Sequence, residues 1–214
     1  MDYYIFGIQR SGTNYIESLI RDNFVSRKMN RTTRSWKHSI NVPRNQNKNI
    51  FTVIIHKNPY TWTESICYRN KVDWTKTQFH YPADDRNFDR QLNVGPDKLN
   101  IINLAKTWNH FHKTWITDVQ LNCDKYIIIR YEDLLTEETR ENVLHELQNV
   151  GFDKKNDRWV DVDTIKVSQS KNYDTTMNKY YLNMMPEKLT RYQIDAINQN
   201  IDHSLFKKMN YSLL

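Results

Sequence analysis

Between an apolar run and a helical pattern the chain reads Gly7-Ile8-Gln9-Arg10-Ser11-Gly12-Thr13-Asn14, with two glycines five positions apart. A turn of this kind lets backbone N–H groups and a helix N-terminus close around a phosphate. The spacing is that of the G-x-x-x-x-G frame of a phosphate-binding loop. Thr13, however, stands where a nucleoside triphosphatase carries Lys, and the loop's sole base is Arg10, ahead of the second glycine. That disfavours an ordinary kinase or ATPase. The bland alternative is a plain strand-to-helix turn in which Gly12 only permits a tight bend. Elsewhere the chemistry-bearing residues are sparser. His110 and His112, two apart on an expected helix, point to different faces and make poor joint metal ligands. Glu132 and Asp133 follow a strand end, where a nucleotide enzyme would hold magnesium. Cys67 and Cys123 lie in apolar or aromatic surroundings with no second pair to build a disulfide framework or a zinc site, and are read as buried free thiols.

The elements that carry these residues follow from the apolar pattern. Residues 3–8 form a short apolar strand, the loop follows, and Tyr15, Ile16, Leu19, Ile20 and Phe24 recur on one helical face. The unit repeats: a run from Ile50 to Ile55 ends at His56-Lys57-Asn58, and Pro59 suits the first turn of a helix reaching about Asn70. A third run, Tyr126 to Ile129, precedes a helix opening at Leu134-Leu135-Thr136, with Val143, Leu144 and Leu147 inward and Gly151 as its stop. Apolar runs without alternation, each followed by a helix, indicate buried parallel strands, hence an α/β domain with its ligand site beyond the strands' carboxyl ends. Arg34 to His38 is a further candidate strand, and Leu99 to Val119 a long helix. Residues 71–97, with Pro82, Gly95 and Pro96, read as a functional loop over the sheet. Trp62, Trp74, Trp108 and Trp115 suit the lining of a ligand pocket, which for a group-transfer enzyme would be that of the acceptor, with core packing the default for each.

Arg10-Ser11-Gly12-Thr13-Asn14-Tyr15 resembles the Lys-Ser-Gly-Thr-Thr-Trp loop that holds the 5′-phosphosulfate in sulfotransferases using 3′-phosphoadenosine 5′-phosphosulfate (PAPS). Lys57-Asn58-Pro59, with Ser65 eight residues after the Lys, is similar to the family's Arg-Asn-Pro and Ser, which grip the 3′-phosphate. Arg130-Tyr131-Glu132-Asp133-Leu134 resembles its Tyr-Glu-Asp-Leu, whose Tyr lies near the adenine. The resemblance spans residues 3 to about 150, and the tail at 187–211 looks like the family's closing helices. It implies one sulfotransferase-like domain over 1–214, with a P-loop NTPase-like parallel sheet flanked by helices. Two departures stand out: Lys57 keeps the charge of the family's Arg without its bidentate fork, and the Arg-Lys-Gly stretch of cytosolic members is missing. Lys166, Ser168, Ser170 and Lys171 are the candidate substitutes.

The resemblance implies PAPS as donor, 3′-phosphoadenosine 5′-phosphate (PAP) as product, and no metal, leaving Glu132 and Asp133 structural. Its donor site would comprise Arg10, Ser11, Gly12, Thr13, Asn14, Tyr15, Lys57, Ser65 and Tyr131, with Tyr15 where the family stacks a Trp on adenine. Arg10 is expected to offset charge on the bridging oxygen as the bond breaks. Trp36-Lys37-His38 resembles the family's Lys-x-His segment, although here the two are adjacent. It implies Lys37 as a sulfuryl contact and His38 as the base for the acceptor proton, which a neutral imidazole can take near neutral pH. The rival base is a carboxylate, Glu64 or an acid within 84–89. The rival functions are a nucleotide or nucleoside kinase of related fold and a non-catalytic nucleotide-binding relative.

Composition is consistent with this. The 214 residues suit one sizeable domain, and although only 38% are hydrophobic, 6 Trp, 13 Tyr and 8 Phe argue against disorder. A net charge of +6 suits an anionic ligand, but no run of five like charges marks a nucleic-acid surface. No apolar run approaches a membrane span, and Met1-Asp2-Tyr3-Tyr4 lacks a signal peptide's basic start, so a cytoplasmic protein is expected; the family resemblance implies a small-molecule, lipid or carbohydrate acceptor.

Overall fold

The computed structural model describes residues 1–29, 38, 50–69, 101–162, 164–168, 171–174, 186 and 188–214; for 68–69, 101–103, 164–168 and 171–174 it describes the backbone alone. At its centre are strands β1 (Asp2–Phe6), β3 (Arg27–Lys28), β4 (Ile50–His56) and β5 (Tyr126–Arg130), in the order β3-β1-β4-β5 and all parallel. Helices cover both faces, giving the expected α/β architecture.

Strand β4 lies between β1 and β5, and all seven of its residues are buried, which is why its sequence is nearly continuously apolar. Alternation decides which face each side chain serves. Tyr3, Ile5, Phe51, Val53, Ile55 and Ile129 pack with helix α1 (Thr13–Asn23) and helix α4 (Glu137–Asn149). Phe6 and Ile54 face the opposite layer, built from α2 (Pro59–Arg69), α3 (Ile101–Asn122), α5 (Arg191–Asn200) and α6 (His203–Lys208). In α3 the buried Leu104, Trp108, Phe111, Trp115 and Val119 recur at three- and four-residue steps, so one stripe meets the core.

The helix ends explain the boundaries. Asn58 caps α2 through its side-chain oxygen, which accepts from the Tyr60 amide at 2.9 Å, and Pro59 follows at a position where its missing N–H costs nothing. Thr136 caps α4 by accepting from Thr139 N, and Glu137 and Glu138 favour its positive end. Gly151, at φ 105°, ends α4 with its own amide on Gln148 O and the Phe152 amide on Leu147 O, a paired closure that also buries Phe152.

Several expected boundaries are corrected. The first strand stops at Phe6 rather than residue 8, because Ile8 O turns back to accept from Ser11 N. The third helix begins at Glu137, after a 3₁₀ turn over Tyr131–Leu134. The long helix runs on to Asn122 rather than Val119. The helices expected over 187–211 are present as α5 and α6, within the narrower bounds Arg191–Asn200 and His203–Lys208. Three short features are additional to the expected elements: edge strand β3, the antiparallel pair of β2 (Phe24–Val25) with β6 (Asp153–Lys154), and the antiparallel pair β7 (Thr164–Ser168) with β8 (Lys171–Asp174). Of the strand expected at 34–38 only His38 is described, and it lies in a turn. Residues 71–97 lie outside the described residues. No described helix is long and apolar enough to cross a membrane.

Candidate functional site

Because β1, β4 and β5 are parallel and paired Phe6 to Ile54 and His56 to Arg130, the segments leaving their carboxyl ends emerge on one edge of the sheet. Those segments are residues 7–12, 57–58 and 131–134, the three motifs singled out in the sequence.

The first segment is tightly built. A Cβ on Gly7 would lie 2.5 Å from Ser11 Oγ and 2.8 Å from Ile55 O, so only glycine lets the loop fold back on itself. Gly12 has φ 92°, and a Cβ there would lie 2.2 Å from the Tyr131 ring. The loop thus presses against the third segment. Arg10 adopts φ 70°, an uncommon conformation for a side-chain-bearing residue, and its Nε donates to Ser65 Oγ at 3.1 Å. Trp62 Nε1, from α2, donates to Gln9 O at 2.7 Å. Gly12 is the N-cap of α1, and among the described residues its side-chain-less cap leaves the positive helix end without a side-chain cap hydrogen bond. Ser11 Oγ is buried without a hydrogen-bond partner among the described residues.

Lys57, only 2% exposed, is held through its backbone and faces an aromatic ring. Its carbonyl accepts from Trp108 Nε1 at 2.8 Å, and its Nζ stands 4.9 Å from the Tyr131 ring centroid. Burial draws its amine down to about 7, outweighing the attraction of Glu132, with Arg10 pushing in the same direction as burial. Glu132 secures the third segment. Its Oε1 accepts from Asn58 N at 2.9 Å and its Oε2 from the Tyr211 hydroxyl at 2.9 Å, while burial raises its carboxyl above the usual range. The neighbouring His56 Nδ1 lies 2.9 Å from the same hydroxyl oxygen; since that hydroxyl's hydrogen goes to Glu132, the imidazole is the donor. Asp133 pairs with Arg130. Glu132 and Asp133 are therefore bracing groups.

His38 is buried, and its Nδ1 hydrogen-bonds Gly7 O. A carbonyl only accepts, so Nδ1 carries the hydrogen, and in the neutral tautomer this places the lone pair on Nε2. The structure thus brings Arg10, Ser11, Gly12, Lys57, Ser65, Tyr131 and His38 to one sheet edge. Thr13 and Asn14 form the first turn of α1 beside them. Tyr15 belongs to the core: it is 4% exposed, and its hydroxyl is shared between Leu134 O at 3.3 Å and Asp161 Oδ1 at 3.2 Å. Lys37, Ser170 and the acids at 84–89 lie outside the described residues, as do the side chains of Lys166, Ser168 and Lys171. His112 is buried with Nδ1 donating to Trp108 O, whereas His110 is exposed, so the two do face apart. Both cysteines are buried and free, and Trp62, Trp108 and Trp115 are core residues. Among the described residues no three His, Cys, Asp or Glu cluster as metal ligands.

Sequence reasoning did not single out Tyr211, and it named Trp62 and Trp108 only for an acceptor pocket or the core, not as braces of the loops. A buried indole N–H must find an acceptor, and here the acceptors are loop carbonyls of the site. Chemically, the arrangement places the Arg10 guanidinium, the buried Lys57 amine and the N-terminus of α1 at one edge, with an oriented imidazole alongside. The chain matches no protein-family model, no curated protein and no solved structure.

Proposed function

We propose that the chain is a PAPS-dependent sulfotransferase with a P-loop-like α/β fold, transferring a sulfuryl group to a hydroxyl or amine. The observation that carries the reading is the Arg10 Nε to Ser65 Oγ hydrogen bond, which joins the 5′-phosphosulfate motif to the 3′-phosphate motif across 55 positions of sequence. Two motifs that grip different ends of one small donor must lie side by side, and these two touch. Among the described residues the start of α1 has no side-chain cap and the buried Ser11 hydroxyl has no hydrogen-bond partner, which fits an anion in the first loop.

In this reading the acceptor oxygen or nitrogen attacks sulfur as the sulfur–oxygen bond to the 5′-phosphate breaks in line, and PAP leaves. Arg10 offsets the charge gathering on the bridging oxygen. His38 Nε2 takes the acceptor's proton, with Nδ1–H anchored on Gly7 O so that the ring cannot present the wrong nitrogen. Lys57 and Ser65 hold the 3′-phosphate, and Tyr131 flanks the nucleotide. Positioning and electrostatics carry most of the rate, as in phosphoryl transfer.

The test is a thermal-shift titration with PAP, adenosine 5′-phosphosulfate, and ATP with Mg²⁺. A ligand at 100 times its Kd adds about 2.7 kcal/mol of stability. Stabilisation by PAP without metal, well above the other two, is the expected result. Stabilisation by ATP and Mg²⁺ alone would replace this reading with a kinase, and no shift with any nucleotide would reject it.

A further inference from the structure

Glu64 is an unusual residue at this sheet edge. It is 2% exposed, and its Oε1 accepts from the Lys188 amide at 2.6 Å, whereas Oε2 is buried without a hydrogen-bond partner among the described residues. A carboxylate has lone pairs on both oxygens, and leaving one side unbonded in a dry interior is costlier than for a neutral group. Pinning the Lys188 amide accounts for Oε1 alone.

The surroundings of Glu64 indicate what would satisfy the second oxygen. Its successor in α2, Ser65, receives Arg10, and its charge acts on the Lys57 amine, helping that amine keep its proton. The carboxylate therefore stands among the groups that hold a ligand's anion. It would repel a second anion, so the ligand group that meets it is a neutral hydrogen-bond donor adjacent to the anionic one. On a nucleotide whose 3′-phosphate is gripped by Lys57 and Ser65, the donor on the neighbouring carbon is the ribose 2′-hydroxyl.

We propose that Glu64 Oε2 accepts a hydrogen bond from the 2′-hydroxyl of the bound nucleotide, making Glu64 the residue that selects a ribonucleotide over a deoxyribonucleotide donor. The inference rests on the sulfotransferase reading and adds a sugar-recognition contact to it. Glu64 is then a binding residue, and His38 remains the base.

Calorimetric titration of the unmodified protein with PAP, its 2′-deoxy analogue and its 2′-fluoro analogue tests this. A charge-assisted contact makes PAP bind about ten- to a hundredfold tighter than either analogue, with the fluorine, which cannot donate, no better than hydrogen. In the Glu64→Gln variant the amide oxygen still accepts from Lys188 N–H while the other atom becomes a donor. The PAP advantage over the fluoro analogue should then fall to about threefold or less, because an N–H can also face fluorine. Equal binding of PAP and the 2′-deoxy analogue to the unmodified protein overturns the inference and leaves the sulfotransferase reading standing. A Glu64→Gln protein that melts normally yet keeps the full discrimination also overturns it. Failure of all three bisphosphates to bind overturns the reading on which the inference rests.

Discussion

At the residue scale, Lys57 combines full burial with the charge that the proposed 3′-phosphate contact would use. Its amine is drawn down to about 7 by burial, so above that pH the empty site holds mostly a neutral amine. A phosphate favours the ammonium, and binding above pH 7 must then take up a proton. PAP affinity is expected to fall by about tenfold per pH unit between 7.5 and 9. In Lys57→Arg the guanidinium stays charged throughout, which should flatten the profile. Titrations across that range decide the matter, and a flat profile in the unmodified protein would mean that the Lys57 charge does not contribute. The residue type at 57, like Arg10, Ser65 and His38, was legible in the sequence because each sits in a short motif whose neighbours fix its place. Tyr211 was not legible: it lies far along the chain from Glu132 and His56, and nothing local announces that the tail after α6 delivers its hydroxyl to the end of β4 and β5.

At the element scale, the first loop is shaped by what it presses against. Gly12 has φ 92°, and an added Cβ would fall 2.2 Å from the Tyr131 ring, whereas Gly151 has φ 105° and meets only the flexible end of Met1 at 3.1 Å. Gly12→Ala therefore combines backbone strain with a steric conflict and should cost about 2–4 kcal/mol, against about 1 kcal/mol for Gly151→Ala. Denaturant melts of both variants check the ordering, and equal losses would show that the Tyr131 ring moves aside freely. The three long strands and their helices were legible because a buried strand writes a continuous apolar run and a half-buried helix writes a stripe. Strands β2, β3 and β6 have two residues each, too short to establish any period, and their pairing is a tertiary outcome.

At the scale of the whole molecule, two buried histidines set the response to acid. His112 is held down to about 3 by burial, and His56 is held well below its ordinary value by burial and by the nearby His112 and Arg130. In the unfolded chain both titrate near 6.5, so below that pH the unfolded state binds protons that the folded state refuses, and stability falls with pH. Each contributes a slope approaching about 1.4 kcal/mol per pH unit. Glu132, raised by burial, acts in the opposite sense as a single group against two. Urea midpoints measured from pH 7 to 4.5 should drop accordingly, and His112→Phe, which keeps the ring against Trp108, should remove about half the slope. An acid-insensitive midpoint would refute the assignment. The α/β class was legible from the ordering of runs and stripes, and the charge surplus pointed to an anion. The burial that tunes Lys57, Glu132 and the two histidines belongs to the folded molecule alone.

The contact of Tyr211 with Glu132 also orders events in time. A chain emerging from the ribosome delivers the first loop, Lys57 and Glu132 well before residue 211. Until α6 docks, the carboxylate that steadies Asn58 lacks its phenol and His56 lacks its acceptor. The sheet edge is therefore braced last, and a nascent chain that already has Arg10, Lys57 and Glu132 still lacks the contact that completes the proposed site.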